Sequence, residues 1–317
     1  MDNIRIVFMG TPEFAVEILK KLHQEGIAIE AVVTAPDKPA GRGRQINQSA
    51  VKEYAVQHQL KVLQPTNLKD ETFIRELSHL NADLFVVVAF RMLPEVVWSM
   101  PRLGTINLHG SLLPNYRGAA PINWAIINGE KETGVTAFFI EKEIDTGKII
   151  EQAKASIGEN ENVGSLYQRL MKLGADLMYS TVQKIAKGDI QAIDQNQHDL
   201  SNIQPAPKIF KSDCKINFQQ PVQAVHNFCR GLSPYPGAWC ELANTIKREV
   251  KTYKLFATEK TTISVSNSSL ASNEEGILFP CEDYYLLVTE IQPEGKRKMN
   301  FKEFLAGNSL NDLILED

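Results

Sequence analysis

The chain has 317 residues, of which 43% are hydrophobic and 23% are charged, and this composition is typical of a soluble globular protein with two domains. Its formal net charge is -4, so any contact with nucleic acid must depend on local clusters of cations. No apolar run has the ~20 residues that cross a bilayer, and the first residues lack the layout of a signal peptide. The four cysteines form no CxxC pair, so we expect reduced thiols in a cytoplasmic protein.

The beginning of the chain predicts a β-α-β unit. The apolar run Ile4–Met9 predicts a buried strand, and Thr11 is the expected cap of the helix that follows. Ala28–Thr34 predicts the second strand. One face of the helix is marked by apolar residues at helical spacing: Phe14, Ala15, Ile18, Leu19 and Leu22. A β-α-β start predicts a parallel sheet.

Residues 35–49 predict a long loop that is rich in proline, glycine and cations. It contains Lys38, Arg42 and Arg44 and has almost no apolar side chain to bury. A solvated connector would have this composition. Loops of this length inside a compact domain are also often functional, and the cations would give this one an anion-binding character. The sequence leaves both interpretations open.

The next segments continue the pattern of helices and buried strands. Helices are predicted at about 48–59 and 70–81. Leu84–Phe90 is a nearly continuous apolar run, as expected for a central parallel strand that is covered on both faces. Gly104–His109 and Val135–Glu141 predict two further inner strands.

Three polar side chains follow or end these strands. Asn107 and His109 lie in the last residues of one strand, and Asp145 lies in the turn after the next. Ligands of open α/β sheets bind beyond the carboxyl ends of the strands, so we expect the three to meet there. Each alone would more often be structural. Together, an amide and an imidazolium can hold an oxyanion while a carboxylate orients the imidazole, which points to acyl transfer without a covalent intermediate.

The segment after His109 offers a candidate nucleophile and a candidate ligand slot. Ser111 lacks the G-x-S-x-G elbow that exposes a nucleophilic serine, so we do not assign it that role. Leu112–Gly118 places apolar bulk beside the single cation Arg117. This pattern is typical of a packed loop or of a slot for a flat, partly apolar ligand.

The last part of the chain predicts a different class of structure. A helix is predicted over 162–187, and the polar segment 191–207, with Pro205 and Pro207, has no periodicity. We interpret it as a linker between a domain over 1–190 and a second domain over 208–317. Short alternating runs in the second domain predict a small β-barrel or sandwich: Ala238–Leu242, Val250–Ala257, Gly276–Phe279 and Tyr284–Glu290.

The motif around the three polar residues is similar to that of the folate-dependent formyltransferases. It comprises Asn107-x-His109-x-Ser111-Leu112-Leu113-Pro114, Tyr116-Arg117-Gly118, Thr133-Gly134-Val135-Thr136 and Asp145-Thr146-Gly147. The resemblance extends nearly from end to end through Phe8–Ala15, Pro36–Gly43 and Pro234–Trp239. It implies an α/β fold, with a Rossmann-like, open, mainly parallel sheet and helices on both faces, followed by a small C-terminal OB-like β-barrel.

The resemblance also implies the substrates and the catalytic residues. The formyl donor would be 10-formyltetrahydrofolate. The N-terminal and loop stretches are most similar to the branch of the family whose acceptor is the α-amine of methionyl-initiator-tRNA. Asn107, His109 and Asp145 match the family's catalytic trio.

Further residues match the family's binding segments. The folate-contacting positions are Ser111, Leu112, Leu113 and Pro114, together with Phe90, Arg91, Met92 and Leu93. Arg91 stands where the family usually has a glycine. The cations expected to contact tRNA are Lys38, Arg42 and Arg44 in the loop and Lys247, Arg248 and Arg297 in the second domain, where phosphate contacts would position the ligand without reading bases.

Two other functions remain open at this stage. A formyltransferase that acts on a small amine, such as a nucleotide sugar, would use the same trio. The acceptor could also be a purine precursor. The cationic loop and the added second domain count against that acceptor, because its enzyme would need neither. A Rossmann-like binding protein or dehydrogenase is disfavoured because Gly10-Thr11-Pro12 lacks the further glycines of a dinucleotide fingerprint. We expect a monomer that needs no metal.

Overall fold

The computed structural model describes residues 4–40, 45–197, 200–267 and 269–316 of the chain. The strands are β1 Arg5–Gly10, β2 Ala28–Val33, β3 Lys38–Ala40, β4 Gln45–Asn47, β5 Val62–Leu63, β6 Leu84–Val88, β7 Thr105–His109, β8 Arg117–Gly118, β9 Glu132–Phe139, β10 Ile149–Ser156, β11 Pro205–Ala206, β12 Ala238–Asn244, β13 Glu249–Ser264, β14 Ala271–Ser272, β15 Ile277–Pro280, β16 Tyr284–Pro293, β17 Met299–Asn300 and β18 Leu313–Glu316. The helices are α1 Glu13–Gln24, α2 Ala50–Gln57, α3 Glu71–His79, α4 Glu95–Trp98, α5 Pro121–Ile127, α6 Val163–Lys187, α7 Val222–Leu232 and α8 Phe301–Gly307.

Seven of the described strands form an open, mainly parallel sheet in the order β10-β9-β7-β6-β1-β2-β5. The pairs β1–β2, β1–β6, β2–β5 and β6–β7 are parallel, which confirms the prediction from the β-α-β start. Every side chain of β6 is buried, as its continuous apolar run predicts. On one face of the sheet, Val7 and Met9 pack in a cluster with Phe73 and Leu77 of α3.

The opposite face of the sheet is covered by α1 and α6. Gly174 of α6 lies so close to β7 that an added Cβ would stand 2.6 Å from a methyl carbon of Leu108. Phe14 of α1 is also near, at 3.8 Å from the same point. Helices therefore cover both faces, and the predicted Rossmann-like class is confirmed. The predicted helix over 162–187 is confirmed as α6.

The cap predicted for α1 is wrong. The helix begins at Glu13, so the capping position is held by Pro12 in an extended conformation and not by Thr11. No side chain makes a cap hydrogen bond there. The predicted apolar face is confirmed, since Phe14, Ala15, Ile18, Leu19 and Leu22 are all buried. Burial of that face stabilises the helix without a capping side chain.

β9 departs from the parallel pattern and corrects one prediction. It pairs antiparallel with β7, with Ile106 opposite Phe139 and His109 opposite Thr136. Its carboxyl end therefore lies beside the start of β7, and the prediction that Asp145 lies at a shared carboxyl edge is wrong. The loop after β9, and not the sheet edge, brings Asp145 to His109.

The predicted loop over 35–49 contains a short hairpin of β3 and β4. Its ends are held by polar contacts. The Thr34 and Ser49 hydroxyls are 2.7 Å apart, and the Asp37 carboxylate pairs with Lys52 and accepts a hydrogen bond from Gln64. The hydrogen bond from Lys52 lowers the pKa of Asp37. Arg42 and Arg44 lie outside the described residues, so their predicted contact with tRNA stays a prediction.

The C-terminal part forms a second sheet in which the assigned pairs are antiparallel. Its strand order is β14-β15-β16-β13-β12-β18, and β17 pairs with β16. The predicted strands correspond to β12, β13, β15 and β16, which confirms the predicted β-rich second domain. Helix α7, which the sequence pattern does not predict, packs on this sheet through Val222, Val225 and Cys229 in one apolar cluster with Cys240 and Phe279. The four cysteines are free and buried.

The chain divides by contact into two compact units that do not follow the linear sequence. One comprises residues 1–118, 134–155 and 168–205, and the other comprises 119–133, 156–167 and 206–317. The second unit therefore contains α5 as well as the C-terminal sheet. The predicted linear division at 190 and 208 stays a prediction. Among the described residues, no helix is long and apolar enough to span a membrane.

Candidate active site

Strand β7 presents two of the three candidate side chains on one face. Residues two apart on a strand point to the same side, so Asn107 and His109 lie on the same face. Asn107 is partly exposed, whereas His109 is buried. No hydrogen bond joins the Asn107 side-chain amide to another residue within the described ranges. Its donor is therefore available to a ligand.

The His109 ring is fixed between a carbonyl and a carboxylate. Its Nε2 atom lies 2.7 Å from the main-chain oxygen of Tyr116, and its Nδ1 atom lies 3.7 Å from Oδ2 of Asp145. A carbonyl oxygen can only accept, so Nε2 must carry the hydrogen of this contact. Nδ1 is then the ring atom that can gain or lose a proton, and it faces the carboxylate. Such second contacts set which tautomer a histidine adopts.

Asp145 is held in an unusual backbone conformation. Its φ is +56°, in the left-handed region that non-glycine residues leave unless their surroundings hold them there. Oδ2 accepts a hydrogen bond of 3.0 Å from the amide of Gly118. Two residues later the chain passes so close to Phe139 that a Cβ on Gly147 would stand 1.8 Å from its carbonyl oxygen. The position therefore requires glycine, and the loop carrying the carboxylate has little freedom.

The segment Ser111–Pro114 is anchored by β9. The buried Thr136 hydroxyl donates to Ser111 O at 2.6 Å and accepts from Leu113 N at 3.1 Å. Gln152 also donates to this hydroxyl and to Leu113 O, both at 2.9 Å. Sequence reasoning did not identify Thr136 or Gln152 as supports, because their roles depend on pairing between distant segments.

The side chains of this segment differ in accessibility. Ser111 is fully buried and donates to Asn115 O at 2.6 Å, which agrees with its not being assigned as a nucleophile. Leu113 packs with Phe138 and Ile149 in a buried cluster. Leu112 is partly exposed, and Pro114 is buried. The predicted contacts of the segment with folate stay a prediction.

The second predicted folate segment lies after β6. Arg91 donates to the carbonyl oxygens of Thr66, at 3.0 Å, and of Pro65, and its guanidinium lies 5.4 Å from the centre of the Phe90 ring. Met92 is 71% exposed and Leu93 is buried. The Arg91 side chain is thus directed to the carbonyl oxygens of residues 65 and 66. These contacts accommodate a side chain at the position where the resemblance leads us to expect glycine.

A residue of the predicted linker belongs to this site. Gln195, in a 3-10 turn over Gln195–Gln197, is 1% exposed. Its amide contacts the Asp145 loop and Arg117. No signal in the sequence could have identified it, because it stands in a polar segment without periodicity.

The cations predicted to contact tRNA have different surroundings. Lys38 is exposed at the start of β3. Lys247 and Arg248 are exposed in the turn between β12 and β13, where Arg248 has a φ of +52°. Arg297 is exposed but paired with Glu303 at 2.9 Å. An ion pair already made reduces what a cation offers to a phosphate, so Arg297 is the weaker candidate.

A mainly parallel α/β sheet that gathers an amide, an imidazole and a carboxylate around one strand has the arrangement of a group-transfer enzyme. Residues 4–182 match the profile of the family described as formyl transferase, and residues 208–309 match the formyl transferase C-terminal domain. The chain belongs to the formyl transferase family.

Individual relatives agree with this membership, and a solved structure agrees with the fold. The methionyl-tRNA formyltransferase of Bacteroides fragilis is 49% identical over 315 residues, covering 98% of this chain and 97% of that protein. The methionyl-tRNA formyltransferase of Flavobacterium psychrophilum is 48% identical over 318 residues and covers 99% of each. An N-formyltransferase from Helicobacter canadensis, solved with folinic acid and dTDP-3-aminofucose, has a TM-score of 0.66 at 21% identity over 93% of this chain and 100% of that chain, which shows the fold alone.

Proposed function

We propose that the chain transfers the formyl group of 10-formyltetrahydrofolate to the α-amine of methionyl-initiator-tRNA. The single observation that carries the chemistry is the arrangement of His109 between the Tyr116 carbonyl and Asp145, beside the uncommitted amide of Asn107. The nearly full-length identity of 49% to a methionyl-tRNA formyltransferase supports the acceptor. The solved relative that binds folinic acid supports a folate donor.

The reaction makes one bond to the formyl carbon and breaks another. The neutral α-amine attacks the formyl carbon, and a tetrahedral centre with an oxyanion forms. The bond to N10 of the folate then breaks, N10 gains a proton, and the new amide nitrogen has lost one. Asn107 donates a hydrogen bond to the oxyanion, an interaction that is typically worth ~3 kcal/mol of the barrier.

His109 and Asp145 manage the proton and the charge. Because Nε2 is committed to the Tyr116 carbonyl, proton exchange at the ring takes place at Nδ1, next to Asp145. With a proton on Nδ1 the ring is a cation that stabilises the oxyanion and assists departure of N10. Asp145 stabilises that cation and accepts the proton of the attacking amine, directly or through water, and one proton passes from the His109–Asp145 pair to N10 as it leaves.

Binding of the two substrates is assigned to separate groups. The folate would contact Ser111–Pro114 and Phe90–Leu93, and the partly exposed Leu112 and exposed Met92 offer it apolar surface. The tRNA would contact Lys38, Arg42 and Arg44 and, in the C-terminal sheet, Lys247, Arg248 and Arg297. The enzyme would act in the cytoplasm as a monomer.

The direct test is transfer of radiolabelled formyl from 10-formyltetrahydrofolate to charged initiator tRNA. Uncharged tRNA and a dTDP-linked amino sugar serve as alternative acceptors, and His79→Ala, at an exposed histidine, is the matched control for His109→Ala. We expect label only on charged tRNA, and its loss in His109→Ala alone. Transfer to the amino sugar with none to tRNA would replace this function by the small-amine activity.

A further inference from the structure

We propose that Gln195 is a positioning residue that holds the Asp145 carboxylate and the His109 ring in their working arrangement. The inference rests on the proposed formyl transfer, because the Gln195 side chain contacts Arg117 and the main chain of the Asp145 loop and would act only through the catalytic side chains. Its side chain is 1% exposed, although the segment around it has the composition of a linker.

All four hydrogen-bonding positions of the Gln195 amide are in use. Nε2 donates to the carbonyl oxygens of Asp145, at 3.0 Å, and Gly147, at 2.7 Å. Oε1 accepts from Nε of Arg117, at 3.1 Å, and from its Nη2, at 2.6 Å. A primary amide offers two donor hydrogens and two acceptor lone pairs, so the group is fully satisfied. A buried polar group with every bond made fixes its partners.

These bonds join the two chain segments that grip the catalytic pair. Arg117 is followed by Gly118, whose amide donates to Asp145 Oδ2 at 3.0 Å. Arg117 is preceded by Tyr116, whose carbonyl accepts from His109 at 2.7 Å. Gln195 therefore fixes Asp145 from its main-chain side, while through Arg117 it fixes the two main-chain groups that orient the carboxylate and the ring.

The chemistry of the partners requires an amide at this position. Two carbonyl oxygens need a donor and a guanidinium needs an acceptor, and among side chains of this length only glutamine supplies both at one end. Glutamate would keep the contact with Arg117 but would direct a second acceptor at the two carbonyls. The left-handed Asp145, with φ of +56°, depends on such external bonds.

The test compares Gln195→Glu with Gln197→Glu. Gln197 is exposed in the same 3-10 turn, so the control introduces the same charge two residues away. We expect Gln195→Glu to lower kcat by roughly 10- to 100-fold, less than the loss of roughly 100- to 10,000-fold that follows removal of a proton-transfer group itself, while KM for tRNA changes by less than about threefold. Gln197→Glu should behave as wild type.

A double-mutant cycle separates positioning from a general structural role. In an Asp145→Asn background there is no carboxylate to hold and only the His109 ring is left to position, so we expect Gln195→Glu to lower the residual kcat by less than about 10-fold. A full 10- to 100-fold loss in that background would overturn the proposal, as would normal kcat in the single variant.

An exchange measurement is independent of the activity. The amide of Gly118 donates to Asp145, so its hydrogen exchange, followed by NMR, should quicken by at least about 10-fold in Gln195→Glu and stay unchanged in Gln197→Glu. Unchanged exchange in both would overturn the network. If wild type failed to formylate tRNA, the proposed function would fall, while this comparison would still decide whether Gln195 holds the loop.

Discussion

At the residue scale, the three candidate catalytic side chains differ in how far the protein has already committed them. Asn107 makes no hydrogen bond with its side-chain amide within the described part of the chain, so its donor is left for the substrate. His109 is committed at Nε2 to Tyr116 and open at Nδ1. Asp145 is oriented by Gly118 and faces the open ring nitrogen. This gradation matches the proposed roles of oxyanion donor, cation and proton acceptor.

Because the Asn107 amide makes no hydrogen bond within the described residues, replacing it tests its catalytic role without removing a structural contact. We expect Asn107→Ala to lower kcat about 100-fold or more, the typical loss for one oxyanion donor, while Tm changes little because no internal bond is lost. Steady-state kinetics and thermal unfolding measured on the same preparation test both parts. Asn196→Ala, at an exposed asparagine in the 3-10 turn, is the control. Near-normal turnover in Asn107→Ala would remove this residue from the mechanism.

The residues of the site differ in how visible they are in the sequence. Asn107 and His109 stand out because they are polar groups at the end of an apolar strand, and Asp145 stands out only as a turn residue after the next strand. The structure brings Asp145 to His109. Gln195 is invisible, because its bonds reach residues 48 to 78 positions away and no local pattern encodes them. The Arg91 contacts with the 65–66 carbonyls are hidden for the same reason.

At the scale of elements, β9 serves as the support for the loop that follows β7. Its buried Thr136 hydroxyl bridges two main-chain groups and the side chain of Gln152. We expect Thr136→Val, which keeps the shape but removes the hydroxyl, to lower the free energy of unfolding by roughly 2–3 kcal/mol, because Leu113 N–H and Ser111 C=O lose their partner. KM for the folate donor should rise as the segment loosens.

Urea unfolding and folate saturation curves measure the two effects of Thr136→Val. Thr136→Ser keeps the oxygen and should lie within about 1 kcal/mol of wild type, the difference expected for a lost methyl group. Equal stability of the Val variant and wild type would show that the three bonds do not hold the segment.

The packing of α7 on β13 predicts a dependence of stability on pH. His226 of α7 is fully buried, with Nδ1 2.9 Å from the Thr258 hydroxyl. Burial lowers its pKa from 6.5 to about 4, and the nearby charges are Arg230 and Lys260, which lower the pKa further, and Glu159, which opposes them. The unfolded chain therefore binds more protons than the folded one between these two pH values.

Because the unfolded chain binds more protons, the free energy of unfolding falls as the pH falls through this window. The stabilising contribution of neutral His226 is complete above pH 6.5 and is lost as the pH falls towards 4, by roughly 3 kcal/mol over the window. Urea unfolding at several pH values should show this slope, and His226→Gln should reduce it. His79→Gln, at an exposed histidine, should keep it. A wild-type slope in His226→Gln would assign the effect to other groups.

The elements that the sequence predicts well are those with one dominant signal. β6 is a pure apolar run and α6 has a long periodic face, and both appear where expected. Helix α7 is not predicted, because its buried face includes His226, Asn227 and Arg230, which interrupt the apolar pattern. The hairpin of β3 and β4 is not predicted either, because its strands are only three residues long.

At the scale of the whole molecule, the two compact units interleave along the sequence. Within the second unit, α5 packs on α7, and the Asn123 side chain donates to Gly231 O at 2.8 Å. A chain cut at Lys208 would leave the buried Ile122, Ala125 and Ile126 of α5 without that neighbour. The proposed role of the C-terminal sheet in tRNA binding is therefore best tested by surface substitutions in the full chain.

The exposed turn between β12 and β13 provides that test. Lys247 and Arg248 are exposed there, whereas Arg297 is paired with Glu303. We expect Lys247→Glu combined with Arg248→Glu to weaken binding of initiator and elongator tRNA alike, and to reduce the slope of log affinity against log salt by about one to two units. Arg297→Ala should have a smaller effect on both quantities, since its charge is already balanced. Turnover at saturating tRNA should stay normal, because the turn holds none of the candidate catalytic residues.

Measurements of tRNA binding at several salt concentrations test this prediction. The control is the double variant Lys172→Glu and Lys187→Glu, at two exposed residues of α6, which changes the net charge by the same amount. The control separates a local phosphate contact from a general effect of charge, because electrostatic repulsion over the whole surface would weaken binding equally in both double variants. Equal losses would contradict a tRNA-binding role for the β12–β13 turn. A loss confined to Lys247→Glu and Arg248→Glu would assign the turn to positioning the tRNA through its phosphates, which carries no sequence information and leaves the choice of initiator tRNA to contacts elsewhere.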